Sequence, residues 1–202
     1  MNRLFGPIPA SALHVVVDMQ ELFRSHPEWG TQSLTRIVPP IQRLLSARPE
    51  SAYFSRFIPP QRAEHASGAW QRYYRRWSSV TLDQLDPKLL DLVHELQPWA
   101  QHVADKSGYS AMANPVLRQA ALSRSDHCLI LSGVETDVCV LATAIDAMEA
   151  GLRVVLATDA LASSSDACHV KALEILHERF DEQVELASVD QILAAWHRDG
   201  AQ

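Results

Sequence analysis

Apolar and polar positions alternate along the chain in two rhythms, and their order predicts the fold. Residues 12–18, "ALHVVVD", make a short run rich in β-branched side chains, the pattern of a buried strand, ending at Asp18. Over 33–47 the apolar positions Leu34, Ile37, Ile41, Leu44 and Leu45 fall on one stripe at helical spacing. "SAYFSRF" (51–57) predicts a second strand, stopped by Pro59 and Pro60. Residues 58–80 read as irregular, 82–96 as one helix or two short ones, and 101–106 as a short third strand. Asn114 is a candidate cap for a helix with Pro115 at its first position. "HCLILSG" (127–133) predicts another buried strand, followed by a helix from about 138 to 150 that Gly151 stops. A strand over 153–159, a helix over 165–180 capped within Ser163 to Asp166, a strand over 183–188 and a helix over 189–198 complete the chain.

Strands separated by single helices need right-handed crossovers, which give a parallel sheet covered on both faces. The expected architecture is therefore a doubly wound, three-layer α/β/α domain. At 202 residues, without repeat or linker, the chain reads as one domain over 1–202. Ligands of such sheets lie beyond the carboxyl ends of the strands, where the strand order reverses.

Charge narrows the function. The net charge of −6 lacks the positive excess that a nucleic-acid or anionic membrane surface needs, apart from one basic-aromatic stretch, "WQRYYRRW" (70–77). The opening residues lack a signal-peptide pattern, and no window reaches the length of a membrane span. Cys128, Cys139 and Cys168 cannot all pair within one chain, and their spacing fits no zinc module. A cytoplasmic protein in a reducing compartment is expected, where a special cysteine is catalytic rather than structural.

Three residues bring chemistry to the expected edge of the sheet: Asp18 ends the first strand, Lys106 follows the third, and Cys139 begins the helix after the fourth. A helix N-terminus and a nearby ammonium both favour thiolate, and a carboxylate can move protons. Each also has a plain reading: a small core hydrophobe, a solvated lysine, an aspartate bonding a turn. Cys128 lies mid-strand and reads as a core filler, and Cys168 lies within a helix with nothing to mark it as a nucleophile.

Together "VVVDMQ" (15–20), "DKSGYSAM" (105–112) and "GVETDVCVLATAIDAMEAG" (133–151) resemble the signature segments of the isochorismatase-like cysteine hydrolases, which include nicotinamidases, N-carbamoylsarcosine amidohydrolase and isochorismatase. The resemblance spans about 12 to 187. It implies a Rossmann-like fold with a six-stranded parallel sheet and an Asp-Lys-Cys triad falling on Asp18, Lys106 and Cys139. It also implies a cis peptide at Val134–Glu135 and an oxyanion hole formed by the backbone N–H groups of Glu135 and Cys139. The implied reaction cleaves the C–N bond of a small amide or carbamoyl compound through a cysteine thioester, without a cofactor. Homo-oligomers, dimers or tetramers, are implied by the same analogy.

Family nicotinamidases carry a metal site after the second strand, built on Asp-x-His with a downstream His. Here that region holds a lone His65 beside Glu64, so no metal is expected. In its place come Arg56 at a strand end and the aromatic and arginine cluster from Trp70 to Trp77, either a substrate wall or a docking surface. Gln20, Phe23, Arg56 and Tyr109 are the substrate-binding candidates, with Trp29 as a further pocket residue, and Arg56 suggests a carboxylate on the substrate. Competing functions are isochorismatase-type vinyl-ether cleavage, which does not need a thiol, a non-catalytic binding protein that retains the fold, and a redox sensor built on Cys139.

Overall fold

The computed structural model describes residues 4–196. Six strands, β1 (Leu13–Val17), β2 (Ala52–Phe57), β3 (Val103–Lys106), β4 (Cys128–Val134), β5 (Arg153–Ala162) and β6 (Val184–Ala187), form one parallel sheet in the order β3-β2-β1-β4-β5-β6. Among the described residues seven α-helices accompany them: α1 (Glu21–Ser25), α2 (Leu34–Ala47), α3 (Ala69–Arg76), α4 (Pro115–Leu122), α5 (Leu141–Glu149), α6 (Asp166–Arg179) and α7 (Val189–Ala195). The side chains of β1 alternate between two cores. Val16 packs with α1, α2 and α7, while Val15 and Val17 pack with α4, α5 and α6. All five residues of β1 are buried, as a central strand covered on both faces must be.

The expected six-stranded, doubly wound α/β fold is present. The chain runs outward from β1 through β2 to β3, then crosses back and runs the other way from β4 to β6. The order therefore reverses between β1 and β4.

The local differences have physical causes. Residues 82–96 do not form the expected helix; a 3-10 turn, Pro87–Leu90, lies between hydrogen-bonded turns at 82–84 and 94–96. Its backbone is used elsewhere: Val93 N–H donates to the Met19 carbonyl at 2.9 Å, and the Asp91 carbonyl accepts from Glu21 N–H at 2.9 Å. Residues 58–80, expected to be irregular, contain α3, because Trp70, Tyr73, Tyr74 and Trp77 recur at helical spacing and pack against the core. The helix expected from 138 begins instead as a π-helical turn, Thr136–Val140, before α5. β5 runs on to Ala162 because it pairs with β4 again after a register shift, Gly133 opposite Leu161. Residues 197 and 198 of the expected last helix lie outside the described residues.

Candidate active site

The reversal of strand order brings Asp18, Lys106 and Cys139 together. Lys106 Nζ lies 2.7 Å from Asp18 Oδ2 and 3.4 Å from Cys139 Sγ, and donates to the Gly108 carbonyl at 3.0 Å. The trio is shielded from bulk solvent: the side chains of Lys106 and Asp18 are 1% and 0% exposed, and Cys139 is 6% exposed.

Asp18 leaves β1 with a φ of +50°, a left-handed conformation that aspartate tolerates better than most residues. Ser55 on β2 holds it there. The Asp18 N–H meets the Ser55 carbonyl and hydroxyl, each at 3.2 Å, and the Ser55 hydroxyl donates to Asp18 Oδ1 at 2.7 Å. Across the switch point Gly133 has a φ of +109°, and a Cβ there would stand 2.1 Å from the Val17 carbonyl oxygen. Glycine is required for β4 to approach the end of β1 so closely. The Val134–Glu135 peptide that follows is cis, and Val138 and Val140 N–H both donate to the Glu135 carbonyl at 3.1 and 3.0 Å.

Burial works against the charge of Lys106, but Asp18 and Cys139 beside it outweigh burial and raise its pKa. Burial first, and then the Asp18 carboxylate, push the Cys139 thiol well above its ordinary value, against the pull of Lys106. The helix N-terminus and the ammonium, which by themselves favour thiolate, are outweighed here by burial and by Asp18. The resting group is a neutral thiol beside a carboxylate.

Cys139 opens onto a cavity of about 400 Å³ walled by Phe23, Trp29, Phe57, Tyr73, Trp77 and Tyr109, with Glu28, Glu135, Val138 and Ser164 completing the lining. Phe23 stacks on Trp29 at 6.1 Å, and Trp29 reaches Phe57, Tyr73 and Trp77 at 5.9, 6.1 and 6.3 Å. Lys106 Nζ lies 5.3 Å from the centre of the Phe57 ring, joining the wall to the trio.

Of the substrate-binding candidates, Phe23 and Tyr109 line this cavity and Gln20 and Arg56 do not. Gln20 is fully buried and clasps backbone: its amide donates to the carbonyls of Phe57 (3.1 Å) and Leu90 (3.0 Å) and accepts from Phe57 N–H (2.6 Å). It positions Phe57 rather than a ligand. Arg56 is held by Asp105 through two hydrogen bonds of 2.8 and 2.9 Å. It stands opposite Asp105 in the β2–β3 register, and strand alternation sends Phe57, not Arg56, to the cavity. The Trp70–Trp77 cluster divides: Tyr73 and Trp77 face the cavity, while Arg72, Arg75 and Arg76 are exposed. His65 sits on a 3-10 turn beside Glu64, and among the described residues no group of three or more His, Cys, Asp or Glu is placed to share a metal ion. These residues do not fit a metal. Ser55, Phe57 and Glu28 were not singled out from the sequence. For Ser55 a signal existed, a hydroxyl in a strand near the end where a site is expected.

The chain matches the family model described as the isochorismatase domain over residues 12–188. An uncharacterized isochorismatase family protein of Bacillus subtilis is 41% identical over 88 residues, 43% of this chain; the match spans about half, 48%, of that relative's length. Among solved structures, a cysteine hydrolase from Pseudomonas syringae pv. phaseolicola has a TM-score of 0.76 at 23% identity, covering 96% of each chain. N-carbamoylsarcosine amidase from Thermoplasma acidophilum has a TM-score of 0.68 at 21% identity, covering 96% of this chain and 99% of that one. A nicotinamidase from Bacillus subtilis has a TM-score of 0.65 at 18% identity, covering 88% and 99%. These structural likenesses bear on the fold.

Proposed function

This chain belongs to the isochorismatase family, and from that premise we propose that it hydrolyses a C–N bond of a small amide or carbamoyl compound, with Cys139 as nucleophile. The observation that carries this is the placement of one ammonium within reach of both a carboxylate, at 2.7 Å, and a thiol, at 3.4 Å, under an aromatic cavity. Asp18 takes the thiol proton as Cys139 Sγ attacks the carbonyl carbon. Lys106 stabilises the negative charge passing between them. The carbonyl π electrons move to oxygen, and the N–H groups of Glu135 and Cys139 receive the oxyanion. Collapse breaks the C–N bond, and Asp18 returns its proton to the departing nitrogen, which leaves as ammonia or an amine. Water then attacks the thioester, giving up a proton to Asp18; the carboxylic acid forms and Cys139 recovers its thiol. The sum is amide plus water to acid plus amine.

Two competing readings lose support on particular observations. Vinyl-ether cleavage gives Cys139 no task, although it opens into the cavity. A redox sensor needs a thiol with a lowered pKa, and here burial and Asp18 raise it.

The test is release of ammonia or amine from a panel of small primary amides, ureas and carbamoyl compounds by wild type and Cys139→Ala. Turnover is expected in wild type and at least about 1000-fold less in the variant, because the nucleophile is gone. Equal turnover by the two proteins would refute the nucleophile.

A further inference from the structure

The cavity over Cys139 has a one-sided charge pattern that the hydrolytic chemistry does not use. Its lining holds two carboxylates, Glu28 and Glu135, among the aromatic rings, and no arginine, lysine or histidine. Lys106 below it is matched by Asp18 at 2.7 Å. Arg56, expected from the sequence to read a substrate carboxylate, is matched by Asp105 and stands outside. Arg72 and Arg76 line the adjoining pocket, which shares the rings of Tyr73, Trp77 and Tyr109 with the cavity, and Arg76 lies 4.9 Å over Trp77.

Glu135 is held with one oxygen spent and the other available. Thr31 hydroxyl (3.0 Å) and Ser164 N–H (2.9 Å) both donate to Oε1, and among the described residues no hydrogen bond falls on Oε2. Glu28 accepts from the Ser79 hydroxyl. Among the described residues neither carboxylate has an ion-pair partner.

Aromatic faces carry negative potential, so rings around an acidic group attract a cation, while an anion entering the same space would shed its water beside two carboxylates. A neutral substrate would fill the aromatic volume but offer no partner to Glu135 Oε2. We propose that the substrate carries a compact ammonium group, held among Trp29, Tyr73 and Trp77 with Glu135 as its counter-charge, while its amide reaches Cys139. The assignment of the scissile group rests on the amide-hydrolase function above; the cation site rests on the lining alone.

Three amides of matched length test it: 4-(trimethylammonio)butanamide, its neutral carbon isostere 5,5-dimethylhexanamide, and 4-carbamoylbutanoate. Wild type is expected to show a kcat/KM for the cation at least about tenfold above the isostere, with the anion slowest. Glu135→Gln is expected to bring the cation-to-isostere ratio towards one, whatever it does to the rate common to both. Binding is read separately in Cys139→Ala by tryptophan fluorescence, with butyltrimethylammonium against pentanoate. Preference for the isostere or the anion would overturn the cation site while the hydrolase stands. Cation binding that Glu135→Gln abolishes, with no amide cleaved, would keep the site and overturn the hydrolase. Neither cleavage nor cation binding would overturn both.

Discussion

Removing the charges of Asp18 and Lys106 singly and together should separate what the pair does for stability from what it does for chemistry. The two lie 2.7 Å apart with side chains at most 1% exposed. At an effective dielectric of about 20 their attraction is about 6 kcal/mol, and desolvating two ions offsets most of it. The intact pair therefore adds little net stability, but either charge left alone would be costly. Lys106→Met strands a carboxylate whose remaining side-chain donor is the Ser55 hydroxyl; Asp18→Asn strands an ammonium facing the Gly108 carbonyl and a thiol. Each single variant is expected to lose about 3–5 kcal/mol, a drop in Tm of about 6–20 °C for a chain of this size. Asn suits the positive φ at position 18, so the first cost is electrostatic rather than conformational. The double variant buries no charge and should lose less than the larger single loss, giving a coupling of about 3 kcal/mol or more. Urea unfolding of the four proteins measures this, and hydrolysis is assayed alongside. All three variants should be inactive, including the double variant with recovered stability. Additive single losses, or losses under about 1 kcal/mol, would refute the buried pair.

Ser55 acts through Asp18, as a positioning residue. Ser55→Ala removes a charge-assisted hydrogen bond of about 1.5–3 kcal/mol. It should lower kcat by about tenfold or more with KM little changed, and a parallel rise in KM would place Ser55 in substrate binding instead. His14 gives the fold an acid limit. It is fully buried against the Ser132 hydroxyl at 2.8 Å, and burial lowers its pKa from 6.5 to about 3. Between those values the unfolded chain takes a proton that the folded chain refuses. Its contribution to stability is thus whole above about pH 6.5 and is lost as pH falls towards 3, at about 1.4 kcal/mol per pH unit or about 2 kcal/mol by pH 5. Urea unfolding at pH 7 and pH 5 should show this in wild type and not in His14→Gln; equal losses in both would clear His14.

The sheet was legible because its central strands are buried on both faces and so are apolar apart from the His14–Ser132 pair, with a helix-length stretch between most pairs. Once the strand ends were located, topology placed Asp18, Lys106 and Cys139 at one edge of the sheet, and the family resemblance supplied their reading as a triad. The segment 82–96 was misread because its leucines satisfy a helical period while its backbone is bonded to the exit of β1. Hydrophobic spacing reports which side chains are buried, not which partner the backbone takes. The clasp of Gln20 on Phe57 and of Ser55 on Asp18 both span 37 residues, and nothing local in the sequence pairs them.

Arg56 and Cys139 show where residue-by-residue reasoning fails in a buried site. Arg56 stands at a strand end, the correct place for a binding residue, yet the register of β2 on β3 supplies Asp105 as its partner and leaves the cavity to the next residue, Phe57. The same register sets Phe57 opposite Lys106, so the ring that walls the cavity also shields the ammonium. Cys139 has the nearby lysine that favours a thiolate, but burial and Asp18 reverse the sign. The reversal suits the chemistry. A carboxylate and a thiolate in contact would repel, whereas a thiol beside a carboxylate keeps the net charge of the trio at zero until a carbonyl arrives to take the electrons. In both cases the identity of the residue sets what it can do, and the charge of its nearest neighbour decides what it does.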